Sequence, residues 1–371
     1  MKVVVVGSWA PSLLKFRGAL LAAMVRRGHD VIAAAPDGDA EVRQGLARIG
    51  VAFRDLTLER AGLDPLADAR SILELVRLFR EIQPELVFAY TIKPAIYVSI
   101  AARIAGVERR SVMITGLGFT FTERRGLRQR AARIVAMQLF RLALTNDQTI
   151  FFQNPDDRNE FEKLGLLPAG ARVEIVRGSG VDLELYAPSP LPPDPVRFLF
   201  VGRLLKNKGI YEYVEAARRT RLRDPSIAFD VVGWIDANPE SVQQSELDAW
   251  VREGVVNYHG AVADVRPYLR AAHALVLPSY REGTPRSVLE AMSVGRAVIT
   301  TDVPGCRETI VDGESGRLVP AKDAAALVAA IRELTDDRGK LEQLAANART
   351  RAEQFYDDRV VAGRMLDVMS L

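Results

Sequence analysis

Residues 278–292 read P-S-Y-R-E-G-T-P-R-S-V-L-E-A-M, and this stretch joins a buried strand to a helix. The apolar run Ala274–Leu277 just before it predicts the strand. Gly283 and Pro285 then turn the chain into a helix that begins near Ser287. The start of a helix carries unpaired N–H groups and the positive end of the dipole, so it can hold a phosphate. The stretch therefore predicts an α/β fold with an anion site at a strand-to-helix turn.

Two carboxylates flank this turn. Glu282 precedes it and Glu290 lies about one turn into the helix, so the two can contact different ends of one ligand. Carboxylates suit sugar hydroxyls because each carboxylate can accept two hydrogen bonds. Two alternatives stay open at this point: Glu282 could pair with Arg281 or Arg286, and Glu290 could make an ordinary surface contact at helical spacing.

Two cations stand upstream, in V-G-R-L-L-K-N-K-G at residues 201–209. Arg203 and Lys208 precede a predicted helix, where basic side chains oppose the dipole and gain little. An anionic ligand explains them better, because a diphosphate leaving group needs fixed cations and a helix N-terminus to stabilise its charge. Arg203 and Lys208 would supply the cations, and residues 284–288 the helix N-terminus.

These two segments resemble the E-x7-E and G-R-x(4)-K-G elements of the glycosyl transferases group 1 family, retaining glycosyltransferases of GT-B fold. The resemblance implies two Rossmann-like α/β domains that face a central cleft. It implies catalytic roles for Glu282, beside the donor sugar, and for Arg203 and Lys208, on the donor diphosphate. Glu290 would hydrogen-bond the ribose of the nucleotide sugar. The other residues expected to bind the nucleotide sugar are Gly202, Gly233, His259, Gly283, Thr284, Ser287, Val288 and Leu289.

Apolar runs alternate with amphipathic segments twice along the chain, seven runs in the first series and six in the second. Each series predicts a parallel sheet wound with helices. Between them lies A-P-S-P-L-P-P-D-P-V, too rich in proline for a helix or a central strand. We expect an acceptor-binding domain at 1–187 and a nucleotide-sugar-binding domain at 188–355. The family resemblance implies that a helix at 356–371 crosses back to the first domain. Ligands of such folds bind beyond the carboxyl ends of the strands, in the cleft.

Shorter matches extend the resemblance to a subgroup that includes the bacterial N-acetylgalactosaminyltransferase acting on undecaprenyl-diphosphate-linked sugars. They are K-F-R-G from Lys15, Y-T-I-K-P from Tyr90, G-L-G-F-T-F-T from Gly116 and V-G-W-I-D-A-N-P from Val232. The resemblance implies a UDP-sugar donor, an N-acetylhexosamine, and a polyprenyl-diphosphate-linked acceptor. The residues expected to bind the acceptor are Lys15, Arg17, Lys93, Thr115, Gly116 and Gly118.

The family often carries an N-terminal histidine that contacts the donor sugar, and this chain lacks it at the usual place. Its three histidines are His29, His259 and His273. His29 and His273 flank predicted strands and are expected to be structural, whereas His259 lies at a strand end beside the expected base pocket. Cys306 is the single cysteine, so no disulfide forms within the chain. No histidine lies near it in the sequence, so we interpret it as a structural residue rather than a nucleophile.

The stretch from Arg124 to Thr145 holds six arginines and no acidic residue, interleaved with apolar side chains. A basic amphipathic helix of this kind can lie on an anionic membrane, with contact expected through Arg124, Arg125 and Arg128. Its alternative is the solvated face of a packed helix. Neither a signal peptide nor a spanning segment is predicted, so the expected location is cytoplasmic, at the inner face of the membrane. No nucleic-acid motif is present.

Other enzyme classes find less support in the sequence. Gly7 stands alone after the first strand, without the G-x-G-x-x-G of dehydrogenases, and no P-loop follows. Asp37 and Asp39 spell the D-x-D of metal-dependent transferases, but a solvated turn explains them better, so we expect neither a metal nor a cofactor. Two functions stay open as alternatives: a sugar-nucleotide 2-epimerase of the same fold, and a non-catalytic protein that binds nucleotide sugars.

Overall fold

The computed structural model describes residues 1–58, 65–117 and 127–371, and of these the side chains of residues 65 and 127–132 are left out. Contacts divide the chain into a first unit, Met1–Ser179 with Asp358–Leu371, and a second unit, Gly180–Asp357. Gly118, an expected acceptor residue, and Arg124 and Arg125, expected membrane contacts, lie outside the described residues. The side chain of Arg128, the third expected membrane contact, is also outside them.

The described part of the first unit contains a seven-stranded parallel sheet. Its strands are β1 (Lys2–Val6), β2 (Asp30–Ala35), β3 (Ala52–Asp55), β4 (Leu86–Tyr90), β5 (Arg109–Ile114), β6 (Gln148–Phe152) and β7 (Arg172–Ile175). They lie in the order β3-β2-β1-β4-β5-β6-β7. The central strands are apolar at successive positions because helices cover both faces of a parallel sheet, so a side chain on either face is buried.

Six helices of the first unit alternate with these strands: α1 (Pro11–Arg26), α2 (Ala40–Arg48), α3 (Pro65–Ile82), α4 (Ile92–Ala105), α5 (Leu127–Ala143) and α6 (Pro155–Lys163). Local chemistry starts two of them. Asp39 accepts a hydrogen bond from the Val42 amide at the start of α2, and Asn154 accepts one from the Asp157 amide at the start of α6. Each cap satisfies an amide that has no partner within the helix.

The last helix of the chain, α13 (Asp358–Met369), packs on α1 within the first unit. Its apolar side chains join the core that covers β1. Arg172 donates to the Val368 carbonyl over 2.9 Å and Arg109 to the Ser370 carbonyl over 3.2 Å, so cations meet the negative end of the helix dipole. The C-terminal helix therefore completes the core of the first unit.

The described second unit contains a six-stranded parallel sheet. Its strands are β8 (Arg197–Val201), β9 (Ala228–Val232), β10 (Asn257–Tyr258), β11 (Ala274–Leu277), β12 (Ala297–Thr301) and β13 (Arg317–Val319), in the order β10-β9-β8-β11-β12-β13. A short 3-10 helix at Lys206–Lys208 precedes its helices, α7 (Ile210–Arg223), α8 (Gln244–Arg252), α9 (Arg266–Ala271), α10 (Arg286–Val294), α11 (Ala324–Asp336) and α12 (Arg338–Phe355).

The proline-rich segment is fastened to the second unit by Arg296, which is fully buried. Its guanidinium donates to the carbonyls of Ser189, Pro190 and Leu269 over 3.0, 2.9 and 2.9 Å. Burial lowers the pKa of Arg296 to about 10. Val181 and Tyr186 also belong to the second unit's core, so the second unit begins at Gly180, earlier than the boundary expected at residue 187.

Both parallel sheets confirm the predicted α/β architecture, seven strands and then six. In each sheet the strand order reverses at one point, between β1 and β4 and between β8 and β11. Ligands of such folds bind at this reversal, beyond the carboxyl ends of the strands. Across the ranges that the structure describes, we find no helix with the length and hydropathy needed to cross a membrane.

Candidate functional site

The reversal in the second sheet places the two predicted anion-binding segments side by side, since β8 and β11 pair directly. The segment after β8 carries Arg203 and Lys208, and the segment after β11 carries Glu282. The Tyr280 amide donates to the Asn207 carbonyl over 2.9 Å, which ties one segment to the other. Residues that are far apart in the sequence therefore share one edge of the sheet.

Lys208 and Glu282, both predicted to be catalytic, form an ion pair with each other. Ser279 also donates to the same carboxylate oxygen of Glu282 over 2.8 Å. The Lys208 and Glu282 side chains are 21% and 12% exposed, so the pair is largely, but not fully, withdrawn from water. Glu282 is thus in direct contact with Lys208, the predicted phosphate cation.

Gly305 packs against the backbone of the segment that carries Glu282. The Glu282 amide donates to the Pro304 carbonyl over 3.0 Å. Gly305 has a φ of 83°, and a Cβ there would lie 2.5 Å from the Gly283 carbonyl oxygen and nearer still to that of Glu282. Only glycine fits both the left-handed backbone and this close approach. The sequence analysis missed this role, although the P-G-C-R turn at residues 304–307 was a signal for it.

Arg203 pairs with Asp236, with 3.2 Å between Nη1 and Oδ2. At 43% exposure its guanidinium is open to solvent and to a charged ligand. The backbone beside it is tightly packed, because a Cβ at Gly233 would lie within 3.0 Å of the Gly202 carbonyl carbon. Gly233 therefore lets the backbone after β9 approach the Gly202 carbonyl, after β8, closely.

Glu290 lies within α10, and its carboxylate is held by two donors. The Tyr186 hydroxyl and Arg286 Nε donate to Oε1 over 3.0 and 2.9 Å. The side chain is 11% exposed. Both readings of Glu290 thus keep support: it makes the helical contact expected of its spacing with Arg286, and it retains a small accessible surface for a ligand.

Two of the amides at the start of α10 are already hydrogen-bonded within the helix, so fewer amides are left for an anion than the sequence predicts. Val288 and Leu289 are buried in the core, and their amides already bind the Pro285 carbonyl over 3.1 and 3.3 Å. Their side chains therefore pack in the core, and their expected contact with the ligand stays a prediction. Of the expected set, Gly283, Thr284 and Ser287 remain at the helix start itself.

His259 is held by a buried carboxylate rather than pointing freely into a base pocket. Its Nε2 lies 2.8 Å from Asp230 Oδ1, and the centre of its ring lies 4.8 Å from that of Tyr268, with the two rings tilted by 53°. Asp230 also receives Arg197 Nη1 over 2.6 Å. The His259 side chain is nevertheless 31% exposed, so one edge of the ring remains available at the end of the sheet.

Of the three residues interpreted as structural, His273 and Cys306 are buried and His29 is half-buried. His273 is fully buried, and its Nδ1 accepts from the Arg197 amide over 3.1 Å. Burial lowers the pKa of His273 to about 4. Burial likewise raises the pKa of the Cys306 thiol to about 12, with a smaller contribution from the Glu282 carboxylate. Such a thiol stays protonated and is a poor nucleophile at neutral pH.

The expected acceptor residues of the first unit fall into two groups. Thr115 and Gly116 directly follow β5, and Lys15 lies on the second turn of α1, its ammonium 5.7 Å from the centre of the Trp9 ring. Arg17 and Lys93 are engaged inside the unit. Lys93 pairs with Asp68 over 3.1 Å.

Arg17 requires a correction as an acceptor residue, because it is only 3% exposed. It donates to the Ser179 hydroxyl over 3.0 Å, and its guanidinium lies 4.8 Å from the centre of the Tyr90 ring. These contacts pack it inside the first unit.

The D-x-D pair serves the turn before α2. Asp39 caps that helix, and Asp37 takes the left-handed backbone with a φ of 59°. No group of three or more histidine, cysteine, aspartate or glutamate side chains suited to a metal occurs within the described ranges. Both aspartates are thus accounted for by local structure.

Comparison with known proteins covers both units. Residues 195–337 match the model of the glycosyl transferases group 1 domain, and residues 16–178 match that of the glycosyl transferase 4-like domain. Two curated enzymes are similar to this chain, one over nearly its whole length and the other over about three quarters of it. The N,N'-diacetylbacillosaminyl-diphospho-undecaprenol alpha-1,3-N-acetylgalactosaminyltransferase of Campylobacter jejuni is 27% identical, over 96% of this chain and 94% of its own. The UDP-Gal:alpha-D-GlcNAc-diphosphoundecaprenol alpha-1,3-galactosyltransferase of Escherichia coli is 25% identical, over 74% and 72%.

Among solved structures, sucrose-phosphate synthase from Thermosynechococcus elongatus has a similar fold. It is 18% identical and superposes with a TM-score of 0.80, covering 99% of this chain and 98% of its own.

Proposed function

We propose that this chain, which belongs to the glycosyl transferases group 1 family of GT-B fold, moves a sugar from a nucleotide sugar to a lipid-linked saccharide in bacterial glycan assembly. The observation that carries the proposal is the convergence of Arg203, Lys208 and Glu282 at the point where the second sheet reverses its strand order. That is where folds of this kind bind nucleotides.

The two cations would receive the donor diphosphate. Its oxygens would compete with Asp236 for Arg203 and with Glu282 for Lys208, and each new charge-assisted hydrogen bond would contribute about 1.5–3 kcal/mol. Glu282, released from Lys208, would then accept hydrogen bonds from the transferred sugar. Glu290 would accept from the ribose at the other end of the nucleotide.

The transfer would retain the configuration at the anomeric carbon. The bond from that carbon to the diphosphate oxygen breaks, and the acceptor hydroxyl oxygen bonds to the carbon from the same face. The acceptor proton passes to the leaving diphosphate oxygen, so the protein need supply no separate base. Fixed cations stabilise the charge that develops on the leaving group, which is the largest single contribution in many enzymes. On this mechanism the reaction needs no metal ion.

The names of the relatives support the choice of substrates. One transfers N-acetylgalactosamine and the other uses UDP-Gal, and both act on diphosphoundecaprenol-linked sugars. We therefore propose a UDP-N-acetylhexosamine donor and a polyprenyl-diphosphate-linked saccharide acceptor. Of the expected acceptor residues that the structure describes, Lys15 is exposed, and Lys93, Thr115 and Gly116 are half-buried.

Contact with the membrane is part of the proposal, because the acceptor is a lipid. Helix α5 buries Phe140 and Ala143, but it exposes Ile134, Val135 and Leu142 on its other side. Exposed apolar side chains on an arginine-rich helix are typical of a surface that rests on anionic lipid. This supports a peripheral position at the cytoplasmic face of the membrane, with Arg124, Arg125 and Arg128 nearby in the sequence.

The proposal is tested by measuring nucleotide release. With a UDP-N-acetylhexosamine and a short-chain polyprenyl-diphosphate saccharide, the purified protein should release UDP only when both are present, and should do so in excess EDTA. Release without acceptor would indicate the 2-epimerase alternative. Binding of the nucleotide sugar without turnover on any lipid-linked acceptor would indicate the other alternative, a non-catalytic binding protein. Loss in EDTA, restored by magnesium, would overturn the metal-free mechanism.

The phosphate site is tested by Arg203→Ala and Lys208→Ala. Each variant should bind UDP about 10- to 100-fold more weakly by calorimetry, because each loses one charge-assisted contact. Arg219→Ala is the matched control: it removes an arginine that pairs with Glu215 over 2.7 Å, on α7 of the same unit. Unchanged affinity for UDP in both site variants would rule out this phosphate site.

A further inference from the structure

Tyr186 makes a contact that neither the motifs nor the mechanism uses. It lies on the segment that enters the second unit, outside the helices and strands, and its hydroxyl donates to Glu290 Oε1 over 3.0 Å. The ring is buried in the core of the second unit. A buried hydroxyl that reaches a carboxylate 104 positions away fixes that carboxylate in space.

The geometry leaves one oxygen of Glu290 for a ligand. Arg286 Nε donates to the same Oε1 over 2.9 Å. In the part of the chain that the structure describes, both donors thus bind Oε1, and Oε2 is the atom that a ligand hydroxyl can reach. The two donors approach from different segments, so together they set the plane of the carboxylate as well as its position.

The tyrosine itself is anchored to the helix that carries Glu290. The Ser293 hydroxyl, in α10, donates to the Tyr186 carbonyl over 2.8 Å, and Arg349 Nη1 donates to that carbonyl over 3.3 Å. Main chain and side chain of Tyr186 are therefore both held against α10. Burial, and then the Glu290 carboxylate, raise the pKa of the Tyr186 phenol, so the hydroxyl keeps the proton that it donates.

We propose that Tyr186 is a positioning residue for donor binding: it holds the Glu290 carboxylate so that Oε2 accepts a hydrogen bond from a ribose hydroxyl of the nucleotide. The inference rests on the proposed function, because it assumes a ribonucleotide donor at this site. It assigns to Tyr186 an effect on ground-state binding, since the ribose carries no charge that changes during transfer.

The test is Tyr186→Phe, which removes the hydroxyl and keeps the buried ring. Calorimetry would measure the affinity of parent and variant for UDP and for its 2′-deoxy and 3′-deoxy analogues. We expect the variant to bind UDP about five- to tenfold more weakly than the parent does. For the deoxy analogue that lacks the contacted hydroxyl, we expect parent and variant to have equal affinity. In turnover, KM for the donor should rise by a similar factor, with kcat within about twofold of the parent.

Tyr211→Phe is the matched control, because the Tyr211 hydroxyl also donates to a glutamate, Glu246, over 3.1 Å in the same unit. It should leave the affinity for UDP unchanged. A second test combines Tyr186→Phe with Glu290→Ala: once the carboxylate is gone, loss of the phenol should cost nothing more. If Tyr186→Phe did not fold, Ser293→Ala, which removes one of the two donors to the Tyr186 carbonyl, should show a weaker loss with the same dependence on the ribose hydroxyl.

Three outcomes would overturn the inference. Tyr186→Phe could bind UDP like the parent, or it could lose affinity for UDP and both deoxy analogues alike, which would indicate a general structural effect. Additive losses in the double variant would also contradict it. A parent that bound no uridine nucleotide would instead refute the proposed donor, so failure of the proposed function is recognised separately, from the parent alone.

Discussion

Replacing Gly305 with alanine should damage the candidate site far more than replacing Gly295. Both glycines have the left-handed backbone, with φ values of 83° and 76°. A Cβ at Gly295 meets nothing within 4 Å, whereas one at Gly305 would lie 2.5 Å from the Gly283 carbonyl oxygen. An ordinary contact begins at 3.4 Å and the Glu282 carbonyl oxygen is closer still, so the segment that carries Glu282 must move by at least about 0.9 Å.

The two variants share one cost and differ in another. An alanine in the left-handed region costs roughly 1–2 kcal/mol, and in a domain of this size each kcal/mol lowers the melting temperature by about 2–4 °C. Gly295→Ala should therefore melt roughly 2–8 °C below the parent with turnover little changed. Gly305→Ala carries this cost and also displaces Glu282. Because a shift of about 1 Å in a reacting group can lower the rate about 100-fold, kcat/KM should fall by about that factor.

The assay is UDP release with both substrates, at a temperature where circular dichroism shows both variants folded. A comparison at equal folded fraction separates the displacement from the loss of stability. If Gly305→Ala retained the turnover of Gly295→Ala, the contact between Gly305 and the Glu282 segment would not position the carboxylate, and the assignment of Glu282 to the sugar would lose its structural support.

Three further changes test other parts of the molecule. Replacing Arg124, Arg125 and Arg128 together by glutamine should weaken binding to vesicles with anionic lipid, by about 1 kcal/mol for each arginine, while affinity for UDP is kept; unchanged vesicle binding would remove these arginines from the membrane surface. Ending the chain at Asp357 removes α13 from the core of the first unit, so that unit should unfold at lower temperature or fail to fold; an unchanged melting curve would contradict this packing. Glu282→Gln should lower kcat more than it weakens UDP binding, and equal loss of both would place Glu282 on the nucleotide.

The architecture was predictable because buried parallel strands are written as apolar runs. Ala274–Leu277 was predicted as a strand and is one, with all four residues buried. Edge strands were less well defined: the run expected at Val255–Tyr258 is a strand only at Asn257–Tyr258, because an outer strand has a partner on one side alone. The family followed from two motifs, and the comparisons confirm it.

The contacts within the site were not predictable from sequence alone. Lys208 and Glu282 lie 74 positions apart, and they meet only because β8 and β11 are neighbours in the sheet. Tyr186 follows no motif, and its ring reaches Glu290 through the fold of the entering segment. Nor does a sequence distinguish a buried arginine from an exposed one. Arg17, within α1, packs inside its unit, whereas Arg203, just after β8, is partly exposed to solvent.

The pairing of the cations with carboxylates has a consequence for the proposed reaction. A donor diphosphate that reaches Arg203 and Lys208 does not meet bare charges, because Asp236 and Glu282 already neutralise them. Binding therefore exchanges one anion for another, and the net gain is smaller than two new charge-assisted contacts would give. The same exchange runs in reverse after transfer, when the two carboxylates compete with UDP for the cations. The two carboxylates therefore lower the affinity of the site for the donor and for UDP alike. Weak binding of UDP suits an enzyme that must release it at every turnover better than a protein that only stores a nucleotide sugar.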